Sequence, residues 1–497
     1  MLLTKLLYFC GVIPQKNYVM QKKIIGRKRE QQILQDCINT NKSELIAVYG
    51  RRRVGKTFLI KNYFDNKFDF YFTGSLNKTK DEMLMLFSEQ ISQYSKQLYD
   101  VPKTWHEAFN QLKDYILSLR KDKVIMFIDE ISWIDTPKSG FLSEFEYFWN
   151  SWASSFGQIK LIICASATSW IINHFLADKG GLHNRVTKVI GLQPFNLSET
   201  EEYLLSKNLK FNRMDIVLCY MTMGGVPFYL DMIEPRLGLA QNIDYMFFSA
   251  DGFLKCEFDF LFRSLFKNYD FQIKIIECIA KKNKGLTRQE ISDDLNLAKG
   301  GNLTLALREL ESCGFIRKYT SFGKKERDTL YQVIDFYTLF YLKFCKQHRE
   351  NDPDFFSKNF GSAELNAWAG YSFEILCLHH INQIKRKIGI GGVVTNVCSW
   401  TSLPDKELGL PGTQIDLIID RRDNTINICE MKFSKMKYSI SKKYYDMLNE
   451  RLEIFRQKTK TTKTLRTTLI TTLGIKQNMY ASVVQNEVVM ADLFAKE

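Results

Sequence analysis

The chain has 497 residues, 45% hydrophobic and 25% charged, with 9 prolines and 27 glycines. That length exceeds what one hydrophobic core serves, so several domains are expected, and the composition excludes collagen-like, mucin-like and disordered classes. Lysine and arginine number 69 against 55 aspartate and glutamate, a formal charge of +14, which favours a polyanionic partner.

At the N-terminus, MLLTKLLYFCGVI looks like the apolar part of a signal peptide but lacks a small-residue cleavage site, so residues 1–22 read as an extension ahead of the first domain. No stretch reaches the roughly 18–20 apolar residues that span a bilayer. The 11 cysteines are scattered singly, with no C-x-x-C pair. Neither a disulfide framework nor a zinc knuckle is suggested, and a cytoplasmic setting without membrane contact is expected.

From Lys23 onward, short apolar bursts alternate with helical stretches, the pattern of an α/β domain whose parallel sheet is buried on both faces. The predicted strands are 45–49, 68–73, 124–129 and 161–166. Between the first of them, LIAVY, and a predicted helix, FLIKNYF, stands Gly50-Arg51-Arg52-Arg53-Val54-Gly55-Lys56-Thr57. This is a complete G-x-x-x-x-G-K-[ST] in the strand–loop–helix setting of a P-loop. Its glycines let backbone N–H groups turn toward a phosphate, and the following helix presents its positive dipole end. Lys56 is expected on the β- and γ-phosphates of ATP, and the Thr57 hydroxyl on Mg²⁺. The strand VIMFIDE ends in two carboxylates. Asp129 is expected in the Mg²⁺ shell, and Glu130 is expected to orient and polarise the attacking water. The next strand, KLIICASATSWI, ends in small hydroxyl residues. Ser166 is the first candidate for sensing the γ-phosphate and Thr168 the second; alternatively both cap the following helix.

Upstream, IIGRKRE supplies Ile25, Gly26, Arg27 and Glu30; downstream, MGGVPFYL supplies Gly224, Gly225 and Pro227. With these motifs around the P-loop, residues from about 23 to 265 resemble the prokaryotic AAA+/STAND-like proteins called archaeal-type ATPases. The resemblance implies that Gly26 and Arg27 line the pocket for the nucleotide base and that Pro227 approaches the nucleotide from a helical lid. LHNRVTKVIGLQPFNLSE matches the same family pattern. Its Arg185 reads either as an arginine finger acting across a homo-oligomer interface or as a surface salt-bridge residue.

The expected organisation is α/β: a P-loop AAA+-like parallel-sheet domain at 23–197, a helical lid at 198–266, a winged helix-turn-helix at 267–335, a connecting helix and linker at 336–363, and an α/β restriction-endonuclease-like domain at 364–497. The winged helix is read from three helical patterns followed by two short strands around FGKKERD. Its recognition helix would carry Arg308 beside Glu309 and Glu311, a poor groove-reading surface. The wing residues Lys324, Lys325 and Arg327 are basic enough to touch phosphate, so DNA contact and a purely connecting role both stay open.

In the last domain, GTQIDLIIDRRDNTINICEMKFSK reads as two strands joined by a turn at 421–424. Alternate residues of a strand share a face, so Glu430 and Lys432 point the same way and Asp416 approaches them from the neighbouring strand. Acid, acid and lysine form the D…E-x-K pattern of PD-(D/E)XK nucleases, which this unit resembles, as it does the C-terminal domain that accompanies archaeal-type ATPases. By that resemblance Asp416 and Glu430 hold Mg²⁺, Lys432 positions or activates the hydrolytic water, and Glu374 is an additional acid on the first helix, with Gln414 supporting the site. The competing reading is a solvated acidic edge. His379 and His380 point about 100° apart on a helix and read as core or surface residues; Tyr444 and Tyr445 read as packing. Residues 421–466 hold 13 lysines and arginines against 5 acidic residues. A basic face including Lys442, Lys443, Arg451 and Arg456 is therefore expected to track nucleic-acid phosphates, DNA first. The function expected is that of an ATP- and Mg²⁺-dependent ATPase coupling a nucleotide switch to a DNA-binding or nuclease-like domain. The alternative is a STAND-like switch or scaffold that binds a partner or nucleic acid without cleaving it.

Overall fold

The computed structural model describes residues 23–176, 182, 184–297, 301–346, 352–405 and 410–496; the expected extension, 1–22, lies outside them. Five strands, β1 (Glu44–Tyr49), β2 (Phe70–Thr73), β3 (Lys123–Asp129), β4 (Gln158–Ala165) and β5 (Lys188–Gly191), form a parallel sheet in the order β2-β3-β4-β1-β5. Alternate residues of β1 enter different apolar clusters, Leu45 and Ala47 on one face, Ile46 and Val48 on the other. Burial on both faces is why the central strands read as unbroken apolar runs. β5 is not among the predicted strands: at the sheet edge its Lys188 and Val189 are exposed, which removes the apolar signal.

Helices Leu197–Ser206, Arg213–Met223, Pro227–Leu230, Leu239–Ile243 and Phe253–Leu265 follow. Helices Tyr269–Ala280, Arg288–Asp294 and Asn302–Ser312 then pack with a small antiparallel sheet of β6 (Leu286–Thr287), β7 (Ile316–Tyr319) and β8 (Leu330–Val333). The helix Asn302–Ser312 packs on the short helix Thr168–Ile171 after β4. Beyond β7 the Phe322 N–H donates to the Ser399 carbonyl at 2.7 Å, and the Phe322 ring meets that of Phe455. Both parts expected to meet DNA are thus in contact with the rest of the chain, although Lys324 and Lys325 are exposed.

The C-terminal sheet has β9 (Thr395–Ser402), β10 (Thr413–Arg421) and β11 (Thr425–Lys432) antiparallel, then β13 (Thr464–Thr471) and β15 (Asn486–Val489) parallel to β11; β12 (Tyr438–Ser439) pairs with β14 (Ile475–Lys476). The helix Ala363–His379 packs on β11, and the helix Lys442–Thr459 lies between β11 and β13 in the chain. One apolar cluster runs from Leu197 through Phe262, Phe315 and Phe373 to Phe494. The helices after β5, the small sheet module and the C-terminal unit therefore share a core. Among the described residues no helix is long and apolar enough to cross a membrane.

Candidate functional site

β1 leads directly into Gly50, and the helix Lys56–Tyr63 begins beyond the loop. A Cβ at Gly50, where φ is 150°, would lie 2.2 Å from the Leu192 carbonyl oxygen, so the loop can turn here only without a side chain. Lys56 is buried, and its Nζ donates to the Gly50 and Arg51 carbonyls at 2.8 and 3.1 Å and to Ser166 Oγ at 3.1 Å. The Ser166 N–H donates to Glu130 Oε2 at 3.0 Å, and its hydroxyl donates to Glu130 Oε1. Thr57 Oγ1 donates to Asp129 Oδ2 at 2.7 Å. Lys56, Thr57, Asp129, Glu130 and Ser166 thus meet at the carboxyl ends of β1, β3 and β4. Thr168 is instead buried at the first residue of its short helix. Burial pushes the Asp129 pKa up, opposed by the Thr57 hydrogen bond. A divalent cation would offset that burial, and a hydroxyl and a carboxylate already in contact form a hard-oxygen donor set that fits Mg²⁺.

The loop arginines turn away from this cluster. Arg51 is buried and ion-paired with Asp335, the cap of the helix Phe336–Phe340. Arg53 pairs with Glu257 at 2.5 Å and lies over the Phe228 and Phe253 rings at 4.2 and 4.8 Å. Arg52 is half-buried. The side chains of Arg51 and Arg53, expected at the nucleotide, fasten the loop to the helices Phe336–Phe340 and Phe253–Leu265; what the loop offers a phosphate at these positions is backbone N–H.

At the entry motif, the Arg27 N–H donates to Glu199 Oε1 at 2.9 Å, and its guanidinium donates to the Val54 carbonyl at 3.2 Å and lies 4.5 Å from the Phe195 ring centre. Burial lowers its pKa. The Phe195 N–H in turn donates to the Gly225 carbonyl at 2.7 Å, and a Cβ at Gly225 would fall 1.9 Å from the Phe195 oxygen. The double glycine permits this approach, and Pro227 opens the next helix. Gly26, Arg27, Gly225, Arg317, Asp335 and His379 help line a cavity of about 570 Å³. His380 also lines it, and its Nε2 accepts the Leu197 N–H at 3.0 Å. His380 is a buried core residue and His379 an exposed one, so each of the two readings holds for one of them, and both wall this cavity. Arg185 is exposed in the loop before β5.

The second cluster forms on the C-terminal sheet. β10 pairs with β11 from Leu417↔Cys429 onward; one step further sets Asp416 across from Glu430. A register shift against β9 between Ile415 and Ile418 places a bulge at Asp416, a device that re-aims a side chain. Gln414 Nε2 donates to Asp416 Oδ1 at 2.5 Å. Glu374 enters from the helix Ala363–His379; burial and then the Asp416 charge raise its pKa to about 7, with Lys432 opposing. Glu430 is buried; its Oε2 accepts from the Tyr444 hydroxyl at 3.1 Å and lies 3.5 Å from Lys432 Nζ, and its Oε1 is ion-paired with Arg451. Two expectations change. Arg451, assigned to the outward basic face, points into the cluster, and Tyr444 donates a hydrogen bond to the acid. They stand seven residues apart on one helix, a spacing that places them on one face and could have revealed them. Lys442, Lys443 and Arg456 are exposed as expected. Among the described residues no group of three or more His, Cys, Asp or Glu stands arranged to hold a metal; Glu430 is engaged by Arg451.

Residues 25–233 match the model of an ATPase domain found predominantly in Archaea. An uncharacterized protein of Methanocaldococcus jannaschii is 25% identical over 425 residues, 85% of this chain and 90% of that protein. An uncharacterized ATP-binding protein of the same organism is 54% identical over 43 residues, 9% of this chain and 73% of that protein. Among solved structures, the Walker-type ATPase of Pyrococcus abyssi aligns at a TM-score of 0.47 and 17% identity, over 67% of this chain and 99% of that one.

Proposed function

Because residues 25–233 are an ATPase domain, we propose that the chain is an ATP- and Mg²⁺-dependent switch whose nucleotide state governs a nuclease-like site acting on DNA. Lys56 and the loop backbone bind and orient the β- and γ-phosphates. Ser166, bonded to both Lys56 and Glu130, relays the state of the γ-phosphate to Glu130, which orients the attacking water once Ser166 releases it. Thr57 and Asp129 would hold Mg²⁺, which would neutralise phosphate charge. The fastening of the loop to the lid and connector through Arg53–Glu257 and Arg51–Asp335 supports transmission toward the C-terminal unit, with 267–335 acting as a winged-helix connector.

The observation that carries the nuclease-like reading is the gathering of Glu374, Asp416, Glu430 and Lys432 from one helix and two strands. Asp416 and Glu430 would hold a divalent ion that polarises a phosphodiester, Lys432 would position the water, and the exposed Lys442, Lys443 and Arg456 would track a phosphate backbone. A second reading, a switch that binds without cutting, is favoured by the engagement of Glu430 with Arg451. The test is cleavage of linear and circular DNA with Mg²⁺ or Mn²⁺, with and without ATP, by the parent, Glu130→Gln and Asp416→Ala. Asp416→Ala is expected to abolish cleavage and keep ATP turnover, and Glu130→Gln to lose turnover and alter the response of cleavage to ATP. Absence of cleavage throughout, with ATP turnover intact, would leave the second reading.

A further inference from the structure

We propose that Arg451 is the resident cation of the C-terminal carboxylate cluster, and that a divalent ion binds Asp416 and Glu430 only by displacing the Arg451 guanidinium from Glu430. The inference rests on the reading of this cluster as a metal site.

Glu430 is 6% exposed, and both its oxygens are engaged, Oε1 by Arg451 and Oε2 by the Tyr444 hydroxyl at 3.1 Å with Lys432 Nζ 3.5 Å away. A buried carboxylate without a counter-charge is costly, and the chain supplies its own. Glu374, Asp416 and Glu430 face Lys432 and Arg451, so the cluster is close to neutral before any ion arrives. A divalent ion adds two like charges beside the guanidinium and needs the oxygen that Arg451 occupies, so ion and arginine exclude each other at Glu430. The Arg451 side chain is 15% exposed, so its guanidinium has a path to solvent. It is held by a long side chain on the helix Lys442–Thr459, whose Lys442, Lys443 and Arg456 already face solvent. Its Nε–H has no acceptor in the cluster, so no second hydrogen bond locks the fork in place.

The experiment is Mn²⁺ binding to the full chain without nucleotide, followed by the electron paramagnetic resonance of free Mn²⁺, for the parent, Arg451→Met, Arg451→Gln and Arg451→Lys, each also combined with Asp416→Ala. The component lost with Asp416→Ala isolates this cluster from Thr57 and Asp129. Arg451→Met is expected to tighten that component about tenfold or more, since a neighbouring unit charge is removed, and Arg451→Lys to stay near the parent. If Arg451→Met does not fold, Arg451→Gln decides by the same criterion. Asp416-dependent binding equally tight in the parent and the neutral variants would overturn the proposal and leave the metal site standing. Absence of any Asp416-dependent binding in all variants would remove the metal-site reading itself, and this inference with it.

Discussion

Glu374 sits under two pressures of the same sign: the helix Ala363–His379 buries it, and Asp416 faces it with like charge, raising its pKa from 4.5 to about 7. The folded chain keeps a proton that the unfolded chain releases above about pH 4.5. Stability therefore falls as pH rises from about 4.5 to about 7 and is level above that. The linkage amounts to about 3 kcal/mol. Glu374→Gln, neutral throughout, is expected to raise Tm above the parent's at pH 8 and to match it near pH 4.5, in melts run with a chelator. An equal shift at both pH values would show that charge on Glu374 carries no cost. The D…E-x-K pattern was legible at this scale because the strand period of two puts Glu430 and Lys432 on one face. Arg451 was not, because a basic helix reads alike whichever of its cations turns inward.

Among the elements, the phosphate loop shows a division of labour within one motif. Its glycines and Lys56 serve the phosphate site, whereas Arg51 reaches Asp335, which also accepts the Thr338 N–H at 3.0 Å and its hydroxyl at 2.7 Å. The Phe315 ring lies 5.1 Å from the Arg51 guanidinium carbon. Asp335→Ala removes a helix cap and strands a buried cation, so a loss of about 3–5 kcal/mol is expected in urea unfolding. The double variant Arg51→Met/Asp335→Leu should lose less, because both charges leave together. A single-variant loss under about 1 kcal/mol, the range of an exposed pair, would show that this contact does not fasten the loop to the connector.

Across the whole molecule, the helix Ala363–His379 carries Glu374 in one cluster and ends at the cavity beside the entry motif, five residues or about 8 Å further along its axis. There His380 accepts the Leu197 N–H on Nε2, while Nδ1 meets the Leu376 carbonyl at 2.9 Å and so carries the proton. Burial lowers the pKa of His380 from 6.5 to about 4. The unfolded chain takes up a proton that the folded chain refuses, so stability drains as pH falls from about 6.5 toward about 4. Glu374 acts in the opposite direction over part of this window, and the comparison is therefore made between variants. Urea unfolding at pH 7 and pH 5 is expected to show a larger acid loss in the parent than in His380→Gln. An equal loss would place the acid sensitivity elsewhere than at this junction.

What the sequence determined by itself is local chemistry. The G-x-x-x-x-G-K-[ST] loop, the strand ending in Asp129 and Glu130, and the Glu430–Lys432 alternation are read from spacing along one strand or loop, and the structure sets Thr57 beside Asp129, Ser166 beside Glu130 and Lys432 beside Glu430. Strands at edges or rich in threonine, such as β5, β9 and β13, left no such trace, because exposure at an edge, or threonine in a buried strand such as β13, breaks the apolar run. Only the tertiary structure decided which polar groups from separate elements meet: Arg51 and Asp335, Arg53 and Glu257, Arg451 and Glu430, the Leu197 N–H and His380. These partners lie far apart along the chain, and periodicity describes one element at a time, so no spacing rule pairs them. Their juxtaposition follows from the shared apolar core that packs the helices after β5, the small sheet module and the C-terminal sheet together.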